Sequence, residues 1–208
     1  MTYYVMTDKK ERGCPEGLLK AALYDKFYSD VKKIKHGYFP WYCESKNSGS
    51  RTPFPNGMVL IAKEKLLEFD IRSDAQFFYI ASDEFLSLCE RFGLGIVDQA
   101  RIDVVSQTGK SISSKKYNVV LFEELDVIAN TDKASSFSSE SGLILSIKKL
   151  VLPAGWDRDI FKYKDLAGLS GSFICSQRFK DAAVGLKGIA YTPVEDMQWE
   201  DDYFSQFF

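Results

Sequence analysis

The clearest pattern of apolar and polar positions runs from Ser172 to Val194. An apolar run leads into Ser176, which suits a helix N-cap because its hydroxyl can accept a hydrogen bond from a backbone N–H of the first turn. Phe179 and the apolar residues three and four positions after it then predict one buried helical face. Gly185 suits the left-handed residue that ends a helix, and the alternation from Ile189 to Pro193 is typical of a half-buried strand. The pattern therefore predicts a strand–helix–strand unit.

A similar pattern occurs earlier, between Phe77 and Val105. Six positions agree in order and in role, so that Ile80, Ser82, Phe85, Gly93, Leu94 and Ile96 correspond to Ile174, Ser176, Phe179, Gly185, Leu186 and Ile189. Two interpretations stay open, because any capped helix between two strands produces such a pattern. The units are either two copies of one ancestral unit or an accidental likeness. Two copies are too few for a solenoid.

Weaker patterns predict the remaining elements. An amphipathic helix is predicted over 15–34, where apolar residues recur every three or four positions. Residues 63–71 fit either a helix or an edge strand, and residues 125–140 a loop or a short helix. Strands are predicted at 2–6, 58–62, 143–152 and 160–163, and a β-hairpin is predicted around Thr108-Gly109, between 101–106 and 112–122.

These elements predict an α+β fold, a mixed sheet with an antiparallel hairpin and short helices, and two similar strand–helix–strand units. No linker divides the chain, so residues 1–208 are predicted to form a single domain. Residues 1–57 would supply a helix and an aromatic, proline-rich loop, residues 58–194 the core region, and residues 195–208 a tail rich in acidic and aromatic residues.

Composition excludes several classes of protein. The net charge of −2 lacks the basic excess typical of proteins that bind nucleic acid or an anionic membrane. No apolar run is long enough to span a membrane, and the N-terminus does not resemble a signal peptide. The four cysteines are scattered, and Cys89 and Cys175 fall within apolar patterns, where a free thiol packs as a small hydrophobe. We therefore expect a cytoplasmic protein that needs neither a nucleic acid nor a membrane.

Residues suited to catalysis or metal binding are few. His36 is the only histidine, and nothing around it indicates that Cys43 is held against its imidazole as a nucleophile. The cysteines show no zinc-ligand spacing, and neither a phosphate-binding loop nor a dinucleotide fingerprint is present. We therefore expect no metal, no cofactor and no enzymatic activity. A pair of carboxylates acting as acid and base stays an open alternative, because separation in space cannot be read from sequence.

Two segments suit a protein partner. The tail combines carboxylates with aromatic residues, and a basic partner would meet Trp199, Glu200, Asp201, Asp202 and Tyr203. The second segment contains Trp156 and Asp157, in the sequence LPAGWDRDIF. Each has a plainer alternative: the tail could pack its aromatic residues on its own domain, and the loop could hold only local ion pairs.

The order of these pieces resembles the immunity proteins of bacterial polymorphic toxin systems, specifically the immunity-protein-43 group and the related immunity-protein-11 group. The resemblance covers about residues 58–194. It depends on Phe69-Asp70, the run from Phe78 to Phe85, the hairpin end from Val119 to Glu123, and the segment from Phe173 to Val194. Such proteins are cytosolic and non-enzymatic, and each binds a cognate toxin.

The resemblance therefore implies an immunity protein that neutralises a toxin domain by stoichiometric occlusion. It implies no individual site residue, because toxin-facing surfaces vary with the toxin. Two alternatives stay open: a small hydrolase that uses carboxylates or Cys43, and a self-associating interaction module. The oligomeric state cannot be read from the sequence.

Overall fold

The computed structural model describes residues 2–17, 19–30, 53–74, 78–140, 143–164 and 173–197, which form three sheets and two short α-helices. The strands are β1 (Tyr3–Asp8), β2 (Ala21–Tyr24), β3 (Met58–Ala62), β4 (Ile71–Asp74), β5 (Phe78–Ser82), β6 (Ile96–Ser106), β7 (Tyr117–Phe122), β8 (Ser136–Glu140), β9 (Leu143–Lys149), β10 (Ile160–Phe161), β11 (Ile174–Ser176) and β12 (Ile189–Pro193). The helices are α1 (Asp83–Arg91) and α2 (Gln177–Ala182), and a 3-10 helix follows β12 at Val194–Asp196.

The two larger sheets contain four and six strands. The four-stranded sheet has the order β10-β11-β1-β12, and every pair in it is antiparallel. The six-stranded sheet has the order β2-β3-β6-β7-β5-β4, and only its β3–β6 pair is parallel. The third sheet is the antiparallel pair β8–β9. The α+β class with a mixed sheet, an antiparallel hairpin and short helices is thus confirmed.

Both α-helices begin at the serine caps that the sequence predicted. The Ser82 hydroxyl accepts a hydrogen bond from the Phe85 N–H at 3.1 Å, and the Ser176 hydroxyl accepts one from the Phe179 N–H at 3.2 Å. Each cap satisfies one of the backbone donors left free in a first helical turn. Gly185 has a φ of 102°, as expected for the left-handed residue after the second helix.

The core lies in three clusters of buried apolar side chains. The central cluster joins the two larger sheets, because Phe173 from the four-stranded side packs against Tyr79 and Phe122 of the six-stranded sheet. Both α-helices also bury their phenylalanines there. One outer cluster covers the far face of the six-stranded sheet, and the other lies between the four-stranded sheet and the segments around β9.

The helix predicted over 15–34 is wrong where the structure describes that segment. Residues 21–24 form β2, which pairs antiparallel with β3, and residues 25–30 are not helical. Apolar residues four positions apart share a face of a strand as well as of a helix, so the spacing between Leu19, Leu23 and Phe27 did not distinguish the two. Only Leu23 is buried, since it faces the core, whereas Phe27 is 39% exposed.

The other weak predictions have mixed outcomes. The hairpin around Thr108-Gly109 is confirmed as β6 and β7, and the strands predicted near 2–6, 58–62, 143–152 and 160–163 are present with slightly different ends. Residues 63–70 are neither helix nor strand, and the second half of the 125–140 segment forms β8. The aromatic loop lies mostly outside the described residues.

Candidate partner interface

An open cleft of about 560 Å³ lies at one end of the four-stranded sheet. One wall is the segment that follows β9, from Leu150 to Trp156. The opposite wall combines the start of β1 with the 3-10 helix after β12. The two parts of this second wall meet because Tyr4 of β1 pairs with Pro193 of β12, which brings the first and the last described residues together. The sequence predicted neither this cleft nor its walls.

Trp156 is held in the cleft by backbone and aromatic contacts. Its N–H donates to the Pro153 carbonyl at 3.1 Å, and its carbonyl accepts a hydrogen bond from the Tyr3 hydroxyl at 3.1 Å. Its ring packs edge-on against Phe161, with 5.1 Å between ring centroids. The indole Nε1 is buried and has no acceptor among the described residues. A buried donor without an acceptor costs free energy.

Charges of both signs border the cleft. Lys148 and Lys149 line it, are exposed and form no ion pair with described residues. Glu195 lines the opposite wall, and the exposed Asp157 follows Trp156. Glu195 is the one carboxylate among the lining residues, so the described walls hold no pair of carboxylates that could act as acid and base.

Of the predicted partner site, the structure describes only Trp156 and Asp157. Trp156 lines the cleft together with Glu195 and Met197, and Asp157 follows it in the chain. The tail residues Trp199 to Tyr203 lie outside the described part, but the chain enters that tail from Met197, which itself lines the cleft. Sequence reasoning missed Lys148 and Lys149. Their signal, two adjacent lysines at the end of an apolar strand, is common on protein surfaces.

Two buried aspartates support the helix caps. Asp159 accepts hydrogen bonds from the Ser176 hydroxyl at 2.6 Å and from the Arg178 guanidinium. Burial alone would raise the pKa of Asp159, but these hydrogen bonds outweigh it and hold the pKa below its usual range. Asp70 accepts from the Ser82 hydroxyl and from Lys115 Nζ. Both carboxylates are thus engaged in holding the fold.

The remaining candidates for chemistry are packed or lie outside the described residues. Cys14, Cys89 and Cys175 are free and buried, which confirms the prediction for the last two, and burial raises the pKa of Cys14 to about 11 and of Cys175 to about 12. His36 and Cys43 fall outside the described ranges. Within those ranges, no group of three or more His, Cys, Asp or Glu side chains could hold a metal ion. None of the described helices has the length and apolar character needed to cross a membrane.

Comparison with known families gives one match. The family described as immunity protein 43 matches residues 6–207, which is nearly the whole chain. The match includes the cleft residues from Lys148 to Met197 and most of the tail, but not Thr2 and Tyr3. A comparison with curated proteins gives no match.

Proposed function

Because the chain belongs to the immunity protein 43 family, we propose that it binds a cognate bacterial toxin domain and neutralises it by stoichiometric occlusion, without catalysing a reaction. In this proposal it acts in the bacterial cytoplasm as the antitoxin of a polymorphic toxin system. One observation supports the proposed site: Trp156, chosen from sequence alone, lines the same cleft as Glu195 and Met197, which lead into the acidic tail.

The proposed contacts divide into anchors and steering charges. Trp156, Trp199 and Tyr203 would supply apolar contact area with a polar edge, as the residues that dominate interface energies usually do. Asp157 and the tail carboxylates would attract a basic toxin surface and orient it during encounter. Occlusion then requires only that the toxin's own site lie under the tail.

Ending the chain after Met197 tests the role of the tail. This truncation keeps the 3-10 helix and all described residues of the cleft, so the fold should survive. We expect the dissociation constant for the cognate toxin domain to rise at least about tenfold, since hot-spot aromatic residues and steering charges are lost together. Isothermal titration calorimetry measures the change, and circular dichroism checks the fold.

A triple variant separates charge from aromatic contact. The tail variant removes three carboxylates through Glu200→Gln, Asp201→Asn and Asp202→Asn. The control variant removes three exposed carboxylates elsewhere, through Glu90→Gln, Asp103→Asn and Glu123→Gln. Only the tail variant should slow association at low salt. Equal affinity of the truncated and full chains would remove the tail from the mechanism.

We also infer that the two strand–helix–strand units are copies of one four-stranded unit. In the first unit the order is β4-β5-β7-β6, and in the second it is β10-β11-β1-β12. The registers correspond, since Ser82 pairs with Tyr117 and Ser176 pairs with Tyr3. β1 would therefore be the strand that completes the second copy, although it stands at the opposite end of the chain.

Hydrogen bonds around the caps support the same correspondence. The Ser82 N–H donates to the Asp70 carbonyl at 2.8 Å, and the Ser176 N–H donates to the Asp159 carbonyl at 2.8 Å. The first N–H of each helix donates to the backbone carbonyl of the residue that precedes the paired tyrosine. Asp83 N–H donates to Lys116 and Gln177 N–H donates to Thr2, both at 3.1 Å.

Contacts between equivalent residues support a two-fold relation of the copies. Phe85 contacts Phe179, and Tyr79 contacts Phe173, with ring centroids 6.5 Å and 5.0 Å apart. Such contacts of a position with its own counterpart are what a two-fold axis produces. The second copy would then be circularly permuted, with its fourth strand moved to the start of the chain.

A circular permutant tests this inference. In it, residues 9–197 are followed by a short Gly/Ser linker and then by residues 2–8, so that β1 follows β12 as β7 follows β6. We expect it to fold like the chain that ends after Met197, because Tyr4 and Pro193 are already neighbours. A chain of residues 9–197 alone should be unfolded, since it lacks the buried Val5 and Met6. An unfolded permutant would contradict the permuted duplication.

A further inference from the structure

The two units differ at the place where the first has a hairpin. Between β6 and β7, the chain returns through residues 107–116 and buries Ile112. The Ile112 carbonyl accepts a hydrogen bond from the Leu67 N–H at 2.8 Å, and Ile112 shares a cluster with Leu67, Ile102 and Tyr117. The hairpin therefore closes the outer face of the six-stranded sheet.

The second unit has counterparts of the covered residues but not of the hairpin. Tyr3 corresponds to Tyr117, because each pairs with the capping serine of its unit. Val194 corresponds to Ile102, because the residues before them, Pro193 and Arg101, hold equivalent positions in the register. Trp156 stands three residues before Asp159, as Leu67 stands three before Asp70. These three residues line the cleft of about 560 Å³. The cleft thus lies among the residues that a hairpin would cover.

We propose that this cleft receives an extended segment of the toxin, which takes the position that residues 107–116 occupy in the first unit. The segment presents an apolar side chain to Trp156 and Leu152, and a carboxylate to Lys148 and Lys149. This proposal rests on the proposed function. The toxin would then contact the protein in two places: its basic surface would meet the tail, and an acidic and apolar segment would enter the cleft.

Charge and size support this occupant. The two lysines have no carboxylate partner among the described residues, although they lie on the wall of an otherwise largely apolar cleft. A volume of this size accommodates several side chains and falls within the range of ordinary binding pockets, about 300–1,000 Å³. An acidic segment would supply the carboxylate that the lysines lack among the described residues.

Charge reversal at the cleft, with a matched control, tests the proposal. The variant Lys148→Glu/Lys149→Glu changes the open cleft, and Lys110→Glu/Lys116→Glu makes the same charge change around the hairpin of the first unit. All four side chains are exposed, so both variants should fold, which thermal unfolding checks. We expect the first variant to raise the dissociation constant for the cognate toxin domain at least about tenfold, and the control to leave it within about twofold.

The other outcomes are distinguishable. Equal affinity of both variants and the wild type overturns the cleft proposal but leaves the proposed function intact, whereas no binding by the wild type overturns both. If the effect of Lys148→Glu/Lys149→Glu disappears in the chain that ends after Met197, the protein's own tail occupies the cleft. A dimer seen by light scattering, and dissociated by the same variant, assigns the cleft to a second copy. Either result overturns the toxin segment as the occupant.

Discussion

An Asp70→Ala variant is expected to lose about 3–5 kcal/mol of the free energy of unfolding, as when one partner of a buried ion pair is removed. Asp70 is fully buried, and its carboxylate accepts hydrogen bonds from Ser82, from Lys115 Nζ at 2.6 Å and from the Lys187 N–H at 2.5 Å. Without it, the mostly buried Lys115 ammonium loses its nearest counter-charge, and the serine cap loses its support. Since Lys187 precedes β12, the substitution also weakens the junction of the two sheets.

Urea denaturation followed by circular dichroism measures the loss. Asp103→Ala is a suitable control, because Asp103 is exposed on β6 and its replacement should change stability by less than about 0.5 kcal/mol. Asp70→Asn keeps the shape and some of the hydrogen bonds, so its loss should fall between those of the two alanine variants. A loss below about 1 kcal/mol for Asp70→Ala would show that the carboxylate does not hold the cap and the junction together.

Replacing Phe173 with alanine should cost a similar amount, about 3–5 kcal/mol, through the cavity it leaves in the central cluster. Phe173 is 1% exposed, and its ring lies 5.0 Å from Tyr79, 5.1 Å from Phe122 and 5.9 Å from Phe85. Tyr79 and Phe122 belong to the six-stranded sheet, and Phe85 belongs to α1, which follows β5 of that sheet. The variant should therefore destabilise both sheets at once and retain one cooperative transition.

Thermal unfolding monitored at two wavelengths checks this expectation. The near-ultraviolet signal reports aromatic packing, the far-ultraviolet signal reports secondary structure, and the two midpoints should coincide in the wild type and in the variant. Val184→Ala is the control, because Val184 is 86% exposed and contributes little to the core. Two separate transitions would contradict the prediction that the chain is a single domain.

Local signals in the sequence predicted the elements that contain both a cap and a strong apolar period. Ser82 and Ser176 show why: an N-cap is decided by one side chain and the backbone three residues away, so tertiary contacts are not needed to recognise it. The hairpin around Gly109 was predicted for the same reason, since the turn and its flanking alternation are local. Trp156 was selected for its residue type, without knowledge of what surrounds it.

Long-range pairing explains what the sequence did not predict. Residues 21–24 became a strand because β3 offers an edge to pair with, and a spacing of four residues is compatible with both kinds of element. The buried role of Asp70 was also missed, because its partners Lys115 and Lys187 are 45 and 117 residues away.

By itself, the sequence determined the class of fold, the two capped helices and the family to which the chain belongs, because each depends on short patterns of residue types. Only the tertiary structure decided that β1 pairs between β11 and β12, that Asp70 joins the two sheets, and that Trp156 lines a cleft with two lysines that form no ion pair with described residues. These features depend on which distant segments become neighbours. The packing of a shared core determines those neighbours, and a local sequence pattern does not predict that packing.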